Sequence, residues 1–378
     1  MSFLRMRRRQ FIQRSSFFLM GAGLSACGFA GGSASQNAES TPAATAASPT
    51  TAATGTLNLY TWADYVNPEV AQAFTQETGV KITADTYDAN ETMLAKVQAG
   101  GGTGYSLVYP SDYMVAQMVE LNLLEPLDQS RLEAVYGDLG DNFKNLYYDP
   151  ENKYSIPYTW GTTGIAYNSK ELKKAPTDFN SLWEMRDQIK GRLTLLDDVR
   201  EVMGMSLKSL GYSLNSKDKA QLQEAYDKLR ELKPAVATFT SYDWRDRMIS
   251  GDIVVSHAYS GDGLQVGKEN PDVKYVVPAS GCTLWNDTIA MLKTAPNKDA
   301  AYEWIKYSME PKNSAVITEA ILFGNPLKAV PALLPESIKS NPGWAVAPDL
   351  LAKTEKIEPL DDTTQAIYDD YWTKLKSV

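Results

Sequence analysis

TLNLYTWADYVNPEVAQAFTQETGVKITADTY, residues 56–87, decides the fold. TLNLYTW (56–62) is a β-rich run, residues 68–78 read as a helix stopped by Gly79, and VKITADTY (80–87) is β-rich again. Strand, helix and strand in that order form a βαβ unit. Outward from it the alternation continues, with a helix over 91–99 ended by the glycine cluster at 100–104 and a strand over 106–111. Further strands are expected at 164–168, 193–197, 252–259, 273–278 and 288–292, with long polar helices over 217–232 and 298–309 between them. This alternation predicts parallel βαβ units in an α/β layer architecture. A chain of 378 residues exceeds what one core ordinarily fills, so the expected arrangement is two α/β lobes with a cleft between them. Open parallel sheets bind ligands beyond the carboxyl ends of their strands.

The charge balance narrows what such a cleft would take. The whole chain carries 37 Lys and Arg against 46 Asp and Glu, and the first 26 residues hold five of the arginines and no acid. The remainder therefore has 32 basic and 46 acidic residues. A body this acidic repels nucleic acid and anionic lipid, and it concentrates cations near its clefts. Cys27 and Cys282 are the two cysteines and His257 is the single histidine. A disulfide framework and multi-histidine metal or haem sites are thereby excluded.

Residues 1–27 run from a basic stretch through a short apolar segment, Phe17 to Leu24, to small residues before Cys27. The apolar segment is too short to span a bilayer, and this order is that of a secretory signal. Arg8-Arg9-Gln10-Phe11-Ile12 resembles a twin-arginine export signal, and Leu24-Ser25-Ala26-Cys27 resembles a bacterial lipobox. The expectation is a signal peptide over 1–26, a lipidated Cys27, and a flexible tether to residue 54, whose Gly, Ser, Ala, Thr and Pro bury too little to fold.

Three constellations carry candidate chemistry. In Tyr60-Thr61-Trp62-Ala63-Asp64-Tyr65, aromatic rings flank a carboxylate at a strand end, which suits a cation; the alternative is an aromatic strand end packed into the core. Asp198 and Glu201 follow another strand, and their spacing also fits a capping box for the next helix. Trp285 and Asp287 share one face of an extended segment, again pairing a ring with a carboxylate. Enzyme signatures are absent: the glycines at 261, 263 and 267 are one residue too widely spaced for a dinucleotide fingerprint, and no phosphate loop or nucleophile elbow occurs. His257 lies in an apolar run and Cys282 has no assigned base, so both read as structural.

LYTWADYVNPE, TYDANETMLAKV, LVYPSDYMV, YSIPYTWGTTGIAYN, LLDDVREVMGMSLKSLGYSLN and IYDDYWTKLK closely resemble the spermidine/putrescine-binding proteins of bacterial ABC transporters, over essentially all of residues 55–378. The resemblance implies a bilobal type II periplasmic-binding-protein fold, with one lobe from 55–160 plus 286–331 and the other from 161–285 plus 332–378, joined by hinge crossings. It implies a non-enzymatic, cofactor-free, metal-free monomer that takes a polyamine from the periplasm and delivers it to a membrane permease, while tethered to the membrane as a lipoprotein and binding no nucleic acid. By motif, Trp62, Asp64 and Tyr65 match the first contact loop, and Ser111 with Tyr113 the second. Asp198 and Glu201 match an acidic pair that receives an amine, and Trp285 and Asp287 match the centre of the cleft. Tyr259 and Phe323 stand where other members have Trp and Tyr, Ala63 stands where Thr can occur, and Glu358 aligns with a Gln. The extra carboxylate at Glu358 leans the expectation toward spermidine over putrescine. Another small cationic amine as ligand, a tethered sensor role, and an enzyme on the same fold remain the alternatives.

Overall fold

The computed structural model describes residues 55–100 and 102–377. The expected signal peptide, Cys27 and the tether up to residue 54 lie outside the described residues. Nine strands are defined: β1 (Thr56–Thr61), β2 (Lys81–Thr86), β3 (Leu107–Val108), β4 (Ser155–Asn168), β5 (Leu193–Leu195), β6 (Val236–Phe239), β7 (Val255–Tyr259), β8 (Val273–Val276) and β9 (Leu284–Met291). They form one continuous ladder in the order β2-β1-β3-β9-β4-β7-β5-β6, with β8 also paired to β4.

The quoted βαβ unit forms as read. Asn67 caps its helix, Pro68–Thr78, by accepting from the Glu69 and Val70 amides, and Gly79 ends it in the left-handed region, φ 76°. β1 pairs parallel with β2 and β3. Its alternation buries Leu57 and Leu59 in one core with Phe74 and Trp304, and Tyr60 in a second with Met93 and Val108. The same three-layer plan recurs around β5, parallel to β6 and β7. Here Ile165, Leu193 and Val202 fill one core, and Ala166, Trp244 and Met248 another. Two halves with separate cores make the molecule bilobal. Leu334 and Ile338 join the first half's core, whereas Tyr368 and Leu375 of the C-terminal helix join the second's.

The expected parallel units form in each half, and the strands that join them are antiparallel. β3 pairs antiparallel with β9, and β4 pairs antiparallel with β9, β7 and β8. β4 is also far longer than the expected 164–168: Ser155 to Thr162 pair with β9, and Thr163 onward with β7. Pro157, which has no amide to donate, hides the first half of this strand, and the ladder accommodates it with a register shift between Pro157 and Thr159. β6 was not anticipated, because VATF is four residues long and carries no strong alternation.

Gly161 shows how the crossing strands set the cleft. It lies opposite Trp285 in the β4–β9 ladder, and a Cβ there would stand 2.4 Å from the indole and 2.8 Å from the Ser260 hydroxyl. Only glycine lets the ring lie flat on the strand. Gly161→Ala is expected to overpack this contact and cost about 1–3 kcal/mol, read as a lower urea midpoint with the m-value unchanged. A midpoint equal to that of the parent chain would refute the close approach.

Candidate functional site

The carboxyl ends of the strands converge on one cleft of about 640 Å³, mouth included. After β1 the chain turns at Asp64, whose φ of 66° is one that Asp tolerates better than most residues. The turn sends Tyr65 inward, 3% exposed, and leaves Trp62 half-buried on the cleft wall. After β3 come Ser111, Asp112 and Tyr113 at the start of the helix Asp112–Glu120. Asn90 ties them together: its Nδ2 donates to the Ser111 hydroxyl at 3.0 Å and the Tyr113 hydroxyl at 3.1 Å, and its Oδ1 accepts from the Ser111 amide.

On β9, Asp287 is 5% exposed and receives two hydroxyls, from Ser111 at 2.6 Å and from Tyr65. Trp285, two residues earlier, meets Phe323 edge-to-face at 4.9 Å and Tyr259, at the end of β7, at 5.9 Å. Asp198 caps the helix Val199–Ser209 by accepting from the Arg200 and Glu201 amides. The reciprocal half of the expected capping box does not form, because Glu201 turns its carboxylate inward. There it accepts from the Thr163 hydroxyl at 2.9 Å and the Thr283 hydroxyl at 2.7 Å. One carboxylate thus serves the helix while its neighbour faces the cleft.

Five carboxylates line this space, those of Asp112, Asp198, Glu201, Asp262 and Asp287, and none of the described lining residues is Lys or Arg. Burial disfavours their ionised forms. It pushes Asp287 up to about 6 against the pull of the Ser111 and Tyr65 hydroxyls. It pushes Asp112 up to about 7, opposed by the nearby Lys356 charge, and Asp262 up to about 7, opposed by Arg245. Burial, with Asp198 alongside, raises Glu201 to about 8; Asp198 is itself raised by burial although two amides hold it back. One Asp112 oxygen, Oδ2, is buried without a hydrogen-bond partner. Such a site costs free energy while empty and gains most from a cation.

Of the residues singled out from the sequence, the fold brings Trp62, Tyr65, Ser111, Tyr113, Asp198, Glu201, Tyr259, Trp285, Asp287 and Phe323 to this cleft. Two lie elsewhere. Asp64 points away on the far side of its left-handed turn and pairs with Arg245 at 3.1 Å. Glu358 lines a separate cavity with Tyr147, Asn215, Glu355, Lys356 and Pro359, and its neighbour Ile357 faces the cleft instead. The lean toward spermidine that rested on Glu358 therefore loses its basis. Asn90, Asp112, Tyr242 and Asp262 line the cleft without having been anticipated. Asp262 lay within the glycine run weighed only as a dinucleotide fingerprint, and Asp112 between two residues that were picked. His257 is fully buried, its ring nitrogens unpartnered and its pKa pushed down to about 3. Burial, with Glu201 nearby, pushes the Cys282 thiol up, which keeps it protonated and unreactive. Among the described residues no cluster has the ligands to hold a metal.

The family model described as bacterial extracellular solute-binding protein matches residues 69–348. The spermidine/putrescine-binding periplasmic protein 1 of Haemophilus influenzae is 34% identical over 335 residues, which cover 88% of this chain and 91% of the relative. The spermidine/putrescine-binding periplasmic protein of Salmonella typhimurium is 33% identical over 323 residues, 85% of this chain and 92% of the relative. Among solved structures, the spermidine/putrescine ABC transporter substrate-binding protein PotD from Streptococcus pneumoniae superposes with a TM-score of 0.74 at 36% identity, covering 85% of this chain and 99% of that one. Matched by the family model over most of its length and at a third of its positions by these relatives, the chain belongs to the bacterial extracellular solute-binding proteins, beside the spermidine/putrescine-binding periplasmic group.

Proposed function

We propose that this protein captures a polyamine, spermidine or putrescine, in the interlobe cleft and delivers it to an ABC permease. One observation carries the reading: a closed set of carboxylates interleaved with aromatic rings, with no lysine or arginine among the described lining residues. A polyamine is a flexible chain of ammonium groups joined by methylenes. Desolvating each ammonium is prohibitive unless a carboxylate waits for it, and the methylenes gain about 0.8 kcal/mol per CH₂ buried against rings. Asp287 and the Asp198–Glu201 pair are assigned the ammonium groups. Trp62, Tyr65, Tyr113, Tyr259, Trp285 and Phe323 are assigned the aliphatic segments and the cation–π contacts.

The proposed lobes are 55–160 plus 286–331 and 161–285 plus 332–378, with Leu334 and Ile338 of the last segment packed in the first half's core, closing about the β4 and β9 crossings. Export through the basic leader, lipidation of Cys27 and tethering through residue 54 complete the proposal, with the twin-arginine route as its finer form. No covalent step belongs to it: His257 and Cys282 are buried and neither lines the cleft.

Isothermal titration against putrescine, spermidine and a choline-like amine tests the reading. Asp287→Asn keeps an acceptor for one of the two hydroxyls that Ser111 and Tyr65 donate to its separate oxygens, and removes the charge. It is expected to weaken polyamine binding at least tenfold, about 1.4 kcal/mol, with the thermal midpoint retained. Parent-like affinity in this variant would remove Asp287 from the site.

A pH effect of definite sign follows. Asp287 and Glu201 sit at about 6 and about 8, above the roughly 4 of an unfolded carboxylate. The native state therefore holds protons that the unfolded chain has released, and stability of the ligand-free protein is lost as pH rises through those values. Polyamine ammonium groups keep their protons over this range and favour ionised carboxylates. Affinity should accordingly rise between pH 6 and 8, with proton release on binding, measurable by titration in buffers of differing ionisation enthalpy. Proton uptake, or affinity that falls over the window, would overturn the carboxylate assignment.

A further inference from the structure

The five carboxylates are not equivalent, because one already holds a cation. Arg245, on the short helix Trp244–Ile249, places Nη1 3.1 Å from Asp64 and 3.4 Å from Asp262. Its guanidinium also lies 5.5 Å from the Tyr242 ring, and the fully buried Trp244 fixes the helix that carries it. Asp262 and Tyr242 both line the cleft, whereas Arg245 does not.

Contacts define three stations. Glu201, beside Asp198, rests on the Thr163 and Thr283 hydroxyls, Asp287 on those of Ser111 and Tyr65, and Asp262 on the Arg245 guanidinium. A ligand spanning the first two stations meets carboxylates hydrogen-bonded by hydroxyls and backbone amides, with the Arg200 charge near the Asp198–Glu201 pair but in no ion pair with it. A longer ligand would push a further ammonium toward a carboxylate already paired with a guanidinium.

We infer that Arg245 is a specificity-determining residue: as a resident cation it closes the Asp262 station of the cleft to an additional ammonium, so that short polyamines are preferred over longer, more highly charged ones. The inference rests on the polyamine reading above and adds to it the number of charges the site accepts. Arg245 need not touch the ligand to act, since a fixed positive charge beside Asp262 repels the incoming one.

The test is calorimetric titration of the full chain and its variants with putrescine, spermidine and the tetra-amine spermine. R245Q is expected to raise affinity for spermine relative to putrescine at least fivefold, while R245K, which retains the charge, stays within that limit of the parent ratio. The double variant R245Q/D262N should lose the gain, since the freed carboxylate is gone. If R245Q folds poorly by thermal melt, R245M keeps the apolar stem and serves in its place. A change below fivefold in the neutral variants, an equal gain in R245K, or a gain that survives in the double variant each overturns the inference. Absence of binding by all three amines to the parent chain would instead overturn the polyamine reading itself, before any variant is compared.

Discussion

A carboxylate taken out of water without a cation beside it is the constraint on which this molecule turns. The fold tolerates several such groups by supplying neutral donors. Glu201 rests on two threonine hydroxyls, Asp287 on a serine and a tyrosine, and Asp198 on two helix amides. Hydroxyls and amides satisfy lone pairs without cancelling charge, so the negative potential stays available to a ligand. Had lysines filled these positions the empty protein would be better paired and the cleft inert. The raised carboxylate pKa values are the cost of leaving that pairing to the ligand.

The same groups tie the site to the joint between the lobes. Thr163 lies on β4 at the point where its partner changes from β9 to β7, and Thr283 immediately precedes β9. Glu201 is thereby held by hydroxyls on both crossing strands, while Asp287 sits further along β9 against the first half's Ser111 and Tyr65. A cation between Glu201 and Asp287 would contact groups held on both crossing strands and in both halves. Under the proposed function, binding and closure would then share their atoms, which is how a ligand acquires differential affinity for a closed state.

Strand ends were legible in the sequence because β-rich runs stop at recognisable places, and side chains just past a strand end face the cleft. Trp62 and Asp198 follow from that rule, Asp287 follows from its alternation with Trp285 within β9, and Ser111 and Tyr259 were reached through the family resemblance alone. The rule fails where orientation depends on a single backbone angle. Asp64 and Tyr65 are neighbours, yet a left-handed turn at Asp64 sends one outward to Arg245 and the other inward to Asp287. It fails also for groups brought by elements without a strong pattern: Tyr242 enters from a loop before a one-and-a-half-turn helix, and the antiparallel crossing is hidden by Pro157 in mid-strand. Periodicity reports which residues are buried, not which partner strand runs antiparallel to them.

Glu358 shows the same limit in a segment with no regular structure at all. The backbone from Glu355 to Pro359 is held from both halves. Tyr147 donates to the Ile357 carbonyl at 3.1 Å; Arg200 donates to the Glu358 carbonyl, and Asn215 donates to the Lys356 carbonyl and accepts from the Glu358 amide. With the backbone pinned, Ile357 alone of this stretch lines the cleft, while Glu355 and Pro359 stay with the outer cavity. Lys356 and Glu358 line the outer cavity of about 880 Å³, and Ile357, between them, closes the cleft. An alignment that slips by one position exchanges an apolar wall for a carboxylate. The wall that Ile357 gives the cleft is apolar, and the charge of this flank reaches the cleft only through Lys356, which acts on Asp112 from the neighbouring cavity.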